Sequence, residues 1–328
     1  MKPRIWITGP VLEAALEPLR EVADVEMRAA PEKASPEEMQ AGARGVTALL
    51  PVNAARVDAA VLDAAGPSLR VVSNFGVGYD NVDVAAATAH GIPVTNTPDV
   101  LVNATADVAF GLLIAAARRF GEGEAAARED RWQWAQGLLW GQEVAGATLG
   151  ILGLGRIGTA VARRAQGFGM RVLYHSRHRK PEVEFALGCR YVSFEELLAE
   201  SDFLSLHCAL TPGTRHILDQ EAFERMKRTA VLVNTGRGGL VDQEALLRAV
   251  REGRIAGAGL DVTDPEPPSP DDPILHTRGI YVTPHVGSCS VTARRGMTRV
   301  CVENILAVLS GERPLNCVNP EVFADEAS

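Results

Sequence analysis

Apolar residues along this chain alternate between two textures. Short runs bounded by Gly, Pro, Asn or Asp predict buried strands, and longer stretches with apolar positions every three or four residues predict helices. Residues 4–8 read as a strand and 12–22 as a helix, and 47–50 and 69–74 as further strands. Residues 98–119 form an apolar, alanine-rich helix interrupted by Asn103, Thr105 and Asp107, of a length that suits a crossing between domains. The next stretch, 120–146, shows no clean period and holds three of the four tryptophans, Trp132, Trp134 and Trp140. A fresh series follows, with strands at 148–152, 171–175, 203–207, 231–235, 257–262 and 280–283. A last long helix at 291–309 precedes a polar tail. Strand–helix alternation of this kind predicts an α/β protein with doubly wound parallel sheets, built as two Rossmann-like units of which the second is larger.

Composition agrees with that picture and removes some function classes. The 328 residues are 46% apolar and 23% charged, enough for two domains with a sizeable core. A formal net charge of −8 lacks the basic face that nucleic acid requires. It also offers no long-range pull on an anion, so any anion site must carry its own local positive charge. No apolar run reaches the ~18 residues of a membrane span, and the first residues show neither an apolar signal core nor a small-residue cleavage site. The cysteines (Cys189, Cys208, Cys289, Cys301, Cys317) are scattered, odd in number and free of any C-x-x-C pair. They read as reduced thiols of a cytoplasmic protein, packed as small hydrophobes, with no metal site.

The strongest chemical signal follows the strand at 148–152. Gly153-Leu154-Gly155-Arg156-Ile157-Gly158 then leads into a helix. In a dinucleotide turn the first glycine permits the tight bend, the second lets pyrophosphate approach the backbone, and the third lets helix and strand pack closely. Amides at the helix N-terminus hold the anion. The strand before and the helix after raise this above an incidental glycine cluster. The next strand should end in an acid for the adenine ribose diol. Instead it reads His175-Ser176-Arg177-His178-Arg179-Lys180, with Ser176 standing 18 residues past Gly158. A hydroxyl followed by Arg177 would welcome a 2′-phosphate that a carboxylate would repel, so NADPH is the expected cofactor and NADH the alternative. The bland alternative for the run is a solvated basic loop.

A second glycine-rich stretch, Asn74-Phe-Gly76-Val77-Gly78-Tyr-Asp80-Asn-Val-Asp83, lacks a third glycine, and its Asn and Asp residues read as helix capping. Its functional alternative is an anion site at the amides of Val77 and Gly78. Three further motifs follow consecutive strands of the larger unit. Asn234-Thr235-Gly236-Arg237-Gly238 offers a guanidinium, Asp261 to Glu266 a carboxylate in a proline-rich loop, and Thr283-Pro-His285-Val-Gly287 an imidazole. Taken singly, they read as a surface charge, a solvated turn and a structural histidine. Leaving the same end of one sheet, they match what reduction of a 2-keto acid needs besides a hydride: a grip on the carboxylate and an acid for the developing alkoxide.

Together these motifs resemble the D-isomer-specific 2-hydroxyacid dehydrogenase family, over nearly the whole chain. The resemblance implies that His285 is the acid/base, paired with Glu266, whose carboxylate favours the imidazolium form. It implies that Arg237 orients the substrate together with Val77, Gly78 and His285. Cofactor contacts are implied at the turn 153–158, at Ser176, Arg177 and His178, and at Thr105, Cys208, Thr235, Gly236, Arg237, Asp261, His285 and Gly287. Asp261 would bind the nicotinamide amide. Residues 1–98 and 287–328 would form a flavodoxin-like substrate domain and 99–286 the nucleotide domain, with a cleft between them. A homodimer is implied, with an arm at about 120–146 and Trp140 reaching the neighbouring subunit's site; an ordinary interface or core tryptophan is the alternative. Ser176-Arg177 resembles the NADPH-preferring glyoxylate/hydroxypyruvate reductase branch. A 2-ketogluconate or other bulky keto-acid reductase and a cofactor-sensing transcriptional corepressor are the rivals.

Overall fold

The computed structural model describes residues 2–129 and 139–327. It divides into two compact units, residues 1–101 with 289–328, and residues 102–288. Each is built on one sheet, and every pairing between the strands of these sheets is parallel. Trp132 and Trp134 lie outside the described residues.

The smaller unit holds β1 (Arg4–Ile7), β2 (Asp24–Met27), β3 (Ala48–Leu50), β4 (Val71–Ser73) and β5 (Val94–Thr95), in the order β2-β1-β3-β4-β5. β3 and β4 are wholly buried, as interior parallel strands covered on both faces must be. β2 gave no apolar run because it is an edge strand, Asp-Val-Glu-Met, alternating exposed and half-buried. The expected helix at 12–22 is a 3-10 turn, Glu13–Ala15, followed by a helix at Glu17–Val22 with Pro18 in its first turn. Helices at Pro36–Ala43, Ala59–Ala65 and Val84–Ala89 start at Ser35, Asp58 and Asp83, each side chain accepting a first-turn amide.

The polar tail is not free. Asn319 is fully buried: its Oδ1 accepts from Val94 N at 2.7 Å, and its Nδ2 donates to Thr88 Oγ1 at 2.9 Å and Ile92 O at 3.0 Å. Val318 N donates to Val94 O, and Cys317 pairs antiparallel with Thr95. The tail therefore closes the edge that β5 would expose.

The larger unit holds β6 (Thr148–Leu152), β7 (Arg171–His175), β8 (Arg190–Tyr191), β9 (Phe203–Leu206), β10 (Val231–Asn234), β11 (Gly257–Leu260) and β12 (Ile280–Val282), in the order β12-β11-β10-β9-β6-β7-β8. Chain order reverses between β6 and β9, the switch point where ligands of such sheets bind. The helix expected at 98–119 runs over Val102–Ala117. It starts late because Pro98 and Asp99, the latter at φ 68°, carry the chain out of helical geometry. Its buried face packs with Ile151, Val161 and Val233 on one side of the sheet, and Leu204, Leu232 and Phe223 fill the other.

Replacing Asn319 by Ala should lower unfolding free energy by about 2–4 kcal/mol, because Val94 N and Ile92 O lose a buried partner together. Leu315→Ala, at 92% exposure, should change it by less than about 0.5 kcal/mol. Denaturant melts of both variants test this; equal effects would refute a structural role for the tail.

Candidate active site

The strands of the larger sheet end level. Leu152 pairs with Leu206, Leu206 with Asn234, Asn234 with Leu260 and Leu260 with Val282, while Leu152 also pairs with His175. Gly153, Ser176, His207, Thr235, Asp261 and Thr283 therefore all leave the same edge.

Each glycine of the Gly153 turn does separate work. At Gly153 φ is +97°, and a Cβ there would stand 2.6 Å from Cys208 N; at Gly158 it would stand 2.3 Å from Gly153 O. At Gly155 a Cβ would meet nothing within 4 Å, so the backbone faces open space. The helix that follows, Arg156–Gly167, has Gly155 at its N-cap and so no capping side chain. The buried Thr235 hydroxyl has no hydrogen-bond partner among the described residues. An uncapped helix start, open backbone and an orphaned hydroxyl fit a dinucleotide. Leu154 is 2% exposed and packs in the core, so only its backbone can reach a ligand.

From the turn, contacts run along the edge. A Cβ on Gly236 would stand 3.6 Å from Cys208 O, and one on Gly238 would stand 2.0 Å from Thr263 O. Gly238 thus lets the Arg237 turn lie against the loop that carries Glu266. That loop is pinned by Arg215, whose Nη2 is 3.0 Å from Asp264 Oδ2, and by Thr263 Oγ1 donating to Pro265 O at 2.8 Å. His285 Nδ1 lies 2.6 Å from Glu266 Oε1, both side chains partly open to solvent. His285 has φ 53°, a strained value for a side chain of its size.

Asp261 holds that strained loop. It is 1% exposed; Oδ1 accepts from Thr283 Oγ1 at 2.6 Å and Val286 N at 2.8 Å, and Oδ2 from Gly287 N at 2.7 Å. His285 N donates to Asp261 O at 3.0 Å. The carboxylate expected at a nicotinamide amide also clamps the His285 loop, and its Oδ2, with one donor, keeps a further acceptor site. Thr105 lies beside Gly287, a Cβ on which would stand 3.4 Å from Thr105 Cγ2.

The basic run after β7 divides into paired and unpaired groups. Arg179 binds Glu184 through Nε at 2.8 Å and Nη2 at 2.7 Å. Tyr174 Oη donates to Glu184 Oε1 at 2.6 Å and accepts from Lys180 N at 2.7 Å. Bonds from Arg179 and then Tyr174 hold the Glu184 carboxyl down at about 2, and burial, with the carboxylate beside it, pushes Tyr174 up to about 12. Ser176 Oγ donates to His178 O at 2.7 Å. Arg177 is exposed and makes no bond to the protein among the described residues.

Val77 and Gly78 belong to the smaller unit and not to this edge. Asn74 Nδ2 donates to Gly78 O at 2.7 Å, Asn96 Nδ2 to Val77 O at 2.8 Å, and Asn81 Nδ2 to Asn74 Oδ1 at 3.0 Å. The loop's carbonyls are taken, and the amides of Val77 and Gly78 make no hydrogen bond among the described residues. The capping expectation holds for Asp83 and fails for Asn74 and Asn81, which brace the loop. Packing accounts for buried Cys189 and Cys301, whereas Cys289 is exposed, with Arg294 Nη2 at 2.8 Å from its sulfur. Among the described residues no helix is long and apolar enough to cross a membrane.

Comparison with known proteins adds a family. Residues 110–287 match the model described as D-isomer specific 2-hydroxyacid dehydrogenase, NAD binding domain. A glyoxylate reductase of Korarchaeum cryptofilum is 47% identical over 324 residues, covering 98% of this chain and 97% of the relative. Among solved structures, a Thermus thermophilus protein superposes with TM-score 0.88 at 46% identity, covering 96% of this chain and 99% of that one. An NADPH-dependent glyoxylate/hydroxypyruvate reductase of Sinorhizobium meliloti, in complex with NADP and malonate, superposes with TM-score 0.84 at 35% identity, covering 97% of each chain.

One pH dependence follows from the edge itself. Burial holds His207 down at about 4, its Nε2 lying 2.8 Å from Ser205 Oγ. The unfolded chain takes up a proton near the ordinary 6.5, well before the folded one does. Stability is therefore full above about 6.5 and falls as pH drops toward 4, by about 1–3 kcal/mol once partial solvent access is allowed for. His207→Gln should flatten that slope in melts between these pH values; an unaltered slope would count against it.

Proposed function

The chain belongs to the D-isomer specific 2-hydroxyacid dehydrogenase family, and on that premise we propose that it reduces glyoxylate and hydroxypyruvate with NADPH, using His285 and Arg237. That it is an NAD(P)-dependent oxidoreductase acting on 2-keto or 2-hydroxy acids follows from family and coverage. The single observation behind the catalytic assignment is the 2.6 Å contact between His285 Nδ1 and Glu266 Oε1, on a loop clamped by Asp261.

The bound nicotinamide supplies the hydride. The chain's part is to hold the reactants and move one proton. Glu266 orients the imidazole through Nδ1, leaving Nε2 to donate to the carbonyl oxygen as it gains charge. Arg237 offers the planar guanidinium that a carboxylate pairs with best, and stabilises the same developing charge. In the smaller unit we assign an anion-binding role to the free amides of Val77 and Gly78, the chemistry a carboxylate asks for. The open Gly155 backbone, the uncapped helix start and Thr235 would hold the dinucleotide, and Thr105, Cys208 and Gly287 border its path.

NADPH is favoured because no carboxylate ends β7 and Arg177 is unpaired beside Ser176. The named substrates are supported by the glyoxylate reductase and glyoxylate/hydroxypyruvate reductase relatives. We assign the substrate domain to the smaller unit and the nucleotide domain to the larger. We further propose a homodimer through 120–146, where Phe120 is 57% and Trp140 77% exposed, and a cytoplasmic location. Light scattering should return twice the 35.0 kDa chain mass.

The deciding experiment is steady-state kinetics on glyoxylate, hydroxypyruvate, pyruvate and 2-ketogluconate with each cofactor. Glyoxylate and hydroxypyruvate should lead in kcat/KM with NADPH; preference for 2-ketogluconate or NADH would overturn the corresponding half of the proposal. His285→Gln should cut kcat by about 10²–10⁴-fold while cofactor binding survives. Arg237→Ala should raise KM and lower kcat together. Arg177→Ala should raise KM for NADPH by about 10–100-fold and leave NADH nearly unchanged.

A further inference from the structure

The four-residue run from Arg177 to Lys180 looks basic throughout, yet its two arginines stand in different states. Arg177 is unpaired among the described residues, whereas the Nε/Nη2 edge of the Arg179 guanidinium engages Glu184 from the next helix, Pro181–Leu187. Glu184 is itself fixed: its side chain is only 14% exposed, and the buried Tyr174 of β7 donates to it at 2.6 Å. The same hydroxyl accepts from Lys180 N, so one buried group anchors both the end of the loop and the carboxylate that holds Arg179.

We propose that Glu184 sets how strongly the chain prefers a 2′-phosphorylated cofactor, by keeping Arg179 out of the phosphate site. For Arg179 to bind a 2′-phosphate through its Nε/Nη2 edge it must give up a bidentate carboxylate, exchanging one anion for another with little net gain, and while that edge is held the guanidinium charge is already neutralised by Glu184. Glu184 also places a negative charge beside the loop that must receive the phosphate. Phosphate recognition thus falls to Arg177 and the loop backbone, with Ser176 ordering the loop through its bond to His178 O, and cofactor preference is held below what two arginines would give. This rests on the NADPH assignment for its biological meaning, but its test does not need that assignment to hold.

The test is a cycle read by calorimetry on the full chain, with 2′,5′-ADP as the phosphorylated probe and 5′-AMP as its control. Glu184→Gln keeps an acceptor for Tyr174 and removes the charge. It should tighten 2′,5′-ADP by roughly 3–10-fold and leave 5′-AMP unchanged. Adding Arg179→Ala to that variant should return 2′,5′-ADP to the parent affinity. Arg179→Ala alone should leave 5′-AMP unchanged and loosen 2′,5′-ADP by no more than about 3-fold, the repulsion of the Glu184 charge it unmasks, which keeps the proposal falsifiable if Glu184→Gln folds poorly. Equal tightening of both probes, a gain that survives in the double variant, or a roughly 10-fold or greater loss of 2′,5′-ADP binding in Arg179→Ala alone would each overturn the proposal. Failure of the NADPH assignment shows elsewhere: the parent would prefer NADH, and Arg177→Ala would not weaken 2′,5′-ADP.

Discussion

Parallel strands that end level force the loops after them to share one edge, and this alignment is what the larger unit depends on. From His175 through Leu152, Leu206, Asn234 and Leu260 to Val282, pairing is continuous and in register. A slip of one residue in any strand would turn its side chains to the opposite face and pull its loop off the edge. The Gly153 turn, the Arg237 turn, the Glu266 loop and the His285 loop are brought together by backbone pairing before any of their side chains interact. The close approaches that follow, Gly153 to Cys208 and Gly238 to Thr263, are open only to glycine.

Charge is then placed locally against an unfavourable whole. With a formal net charge of −8, the chain cannot draw an anion from a distance. It offers local donors instead: a helix start after Gly155 that has no capping side chain, amides at Val77 and Gly78 whose carbonyls are tied back, and Arg177. The carboxylates nearby are each given a fixed task. Asp261 is committed to the His285 loop, Asp264 to Arg215, Glu184 to Arg179 and Tyr174. A buried carboxylate with three donors from one loop is a clamp in its own right, a task that the sequence did not reveal for Asp261.

What could be read from the sequence followed the strength of local pattern. β6 and β9 to β12 are continuous apolar or small-residue runs, and the Gly153 turn has a spacing tied to its chemistry, so both were legible. β2, β5 and β8 are edge or two-residue strands whose alternation is weak or too short to register. Pro18 split a helix whose apolar period ran on regardless. The supporting side chains were not legible at all. Asn81 reaches back 26 residues to Ala55 O, and Arg215 reaches forward 49 to Asp264; such pairs leave no period or motif. Glu184 was hidden differently, since an acid in the first turn of a helix is ordinary. Only its bonds to Arg179 and Tyr174 show that it divides a basic run in two.

The tail that closes β5 has a consequence for synthesis. Residues 1–101 leave the ribosome with Val94 N and Ile92 O lacking the buried amide that Asn319 brings, and with Arg70 and Ser73 lacking the carbonyls of Val308 and Cys301. The whole of 102–288 must be made before those partners exist. At about 5–20 residues per second this wait is roughly 10–40 s. When it ends the contiguous larger unit has every strand it needs, whereas the smaller one still holds an open strand edge. The half of the protein translated first is therefore the half that completes its fold last, and its exposed edge is what a chaperone would have to shield.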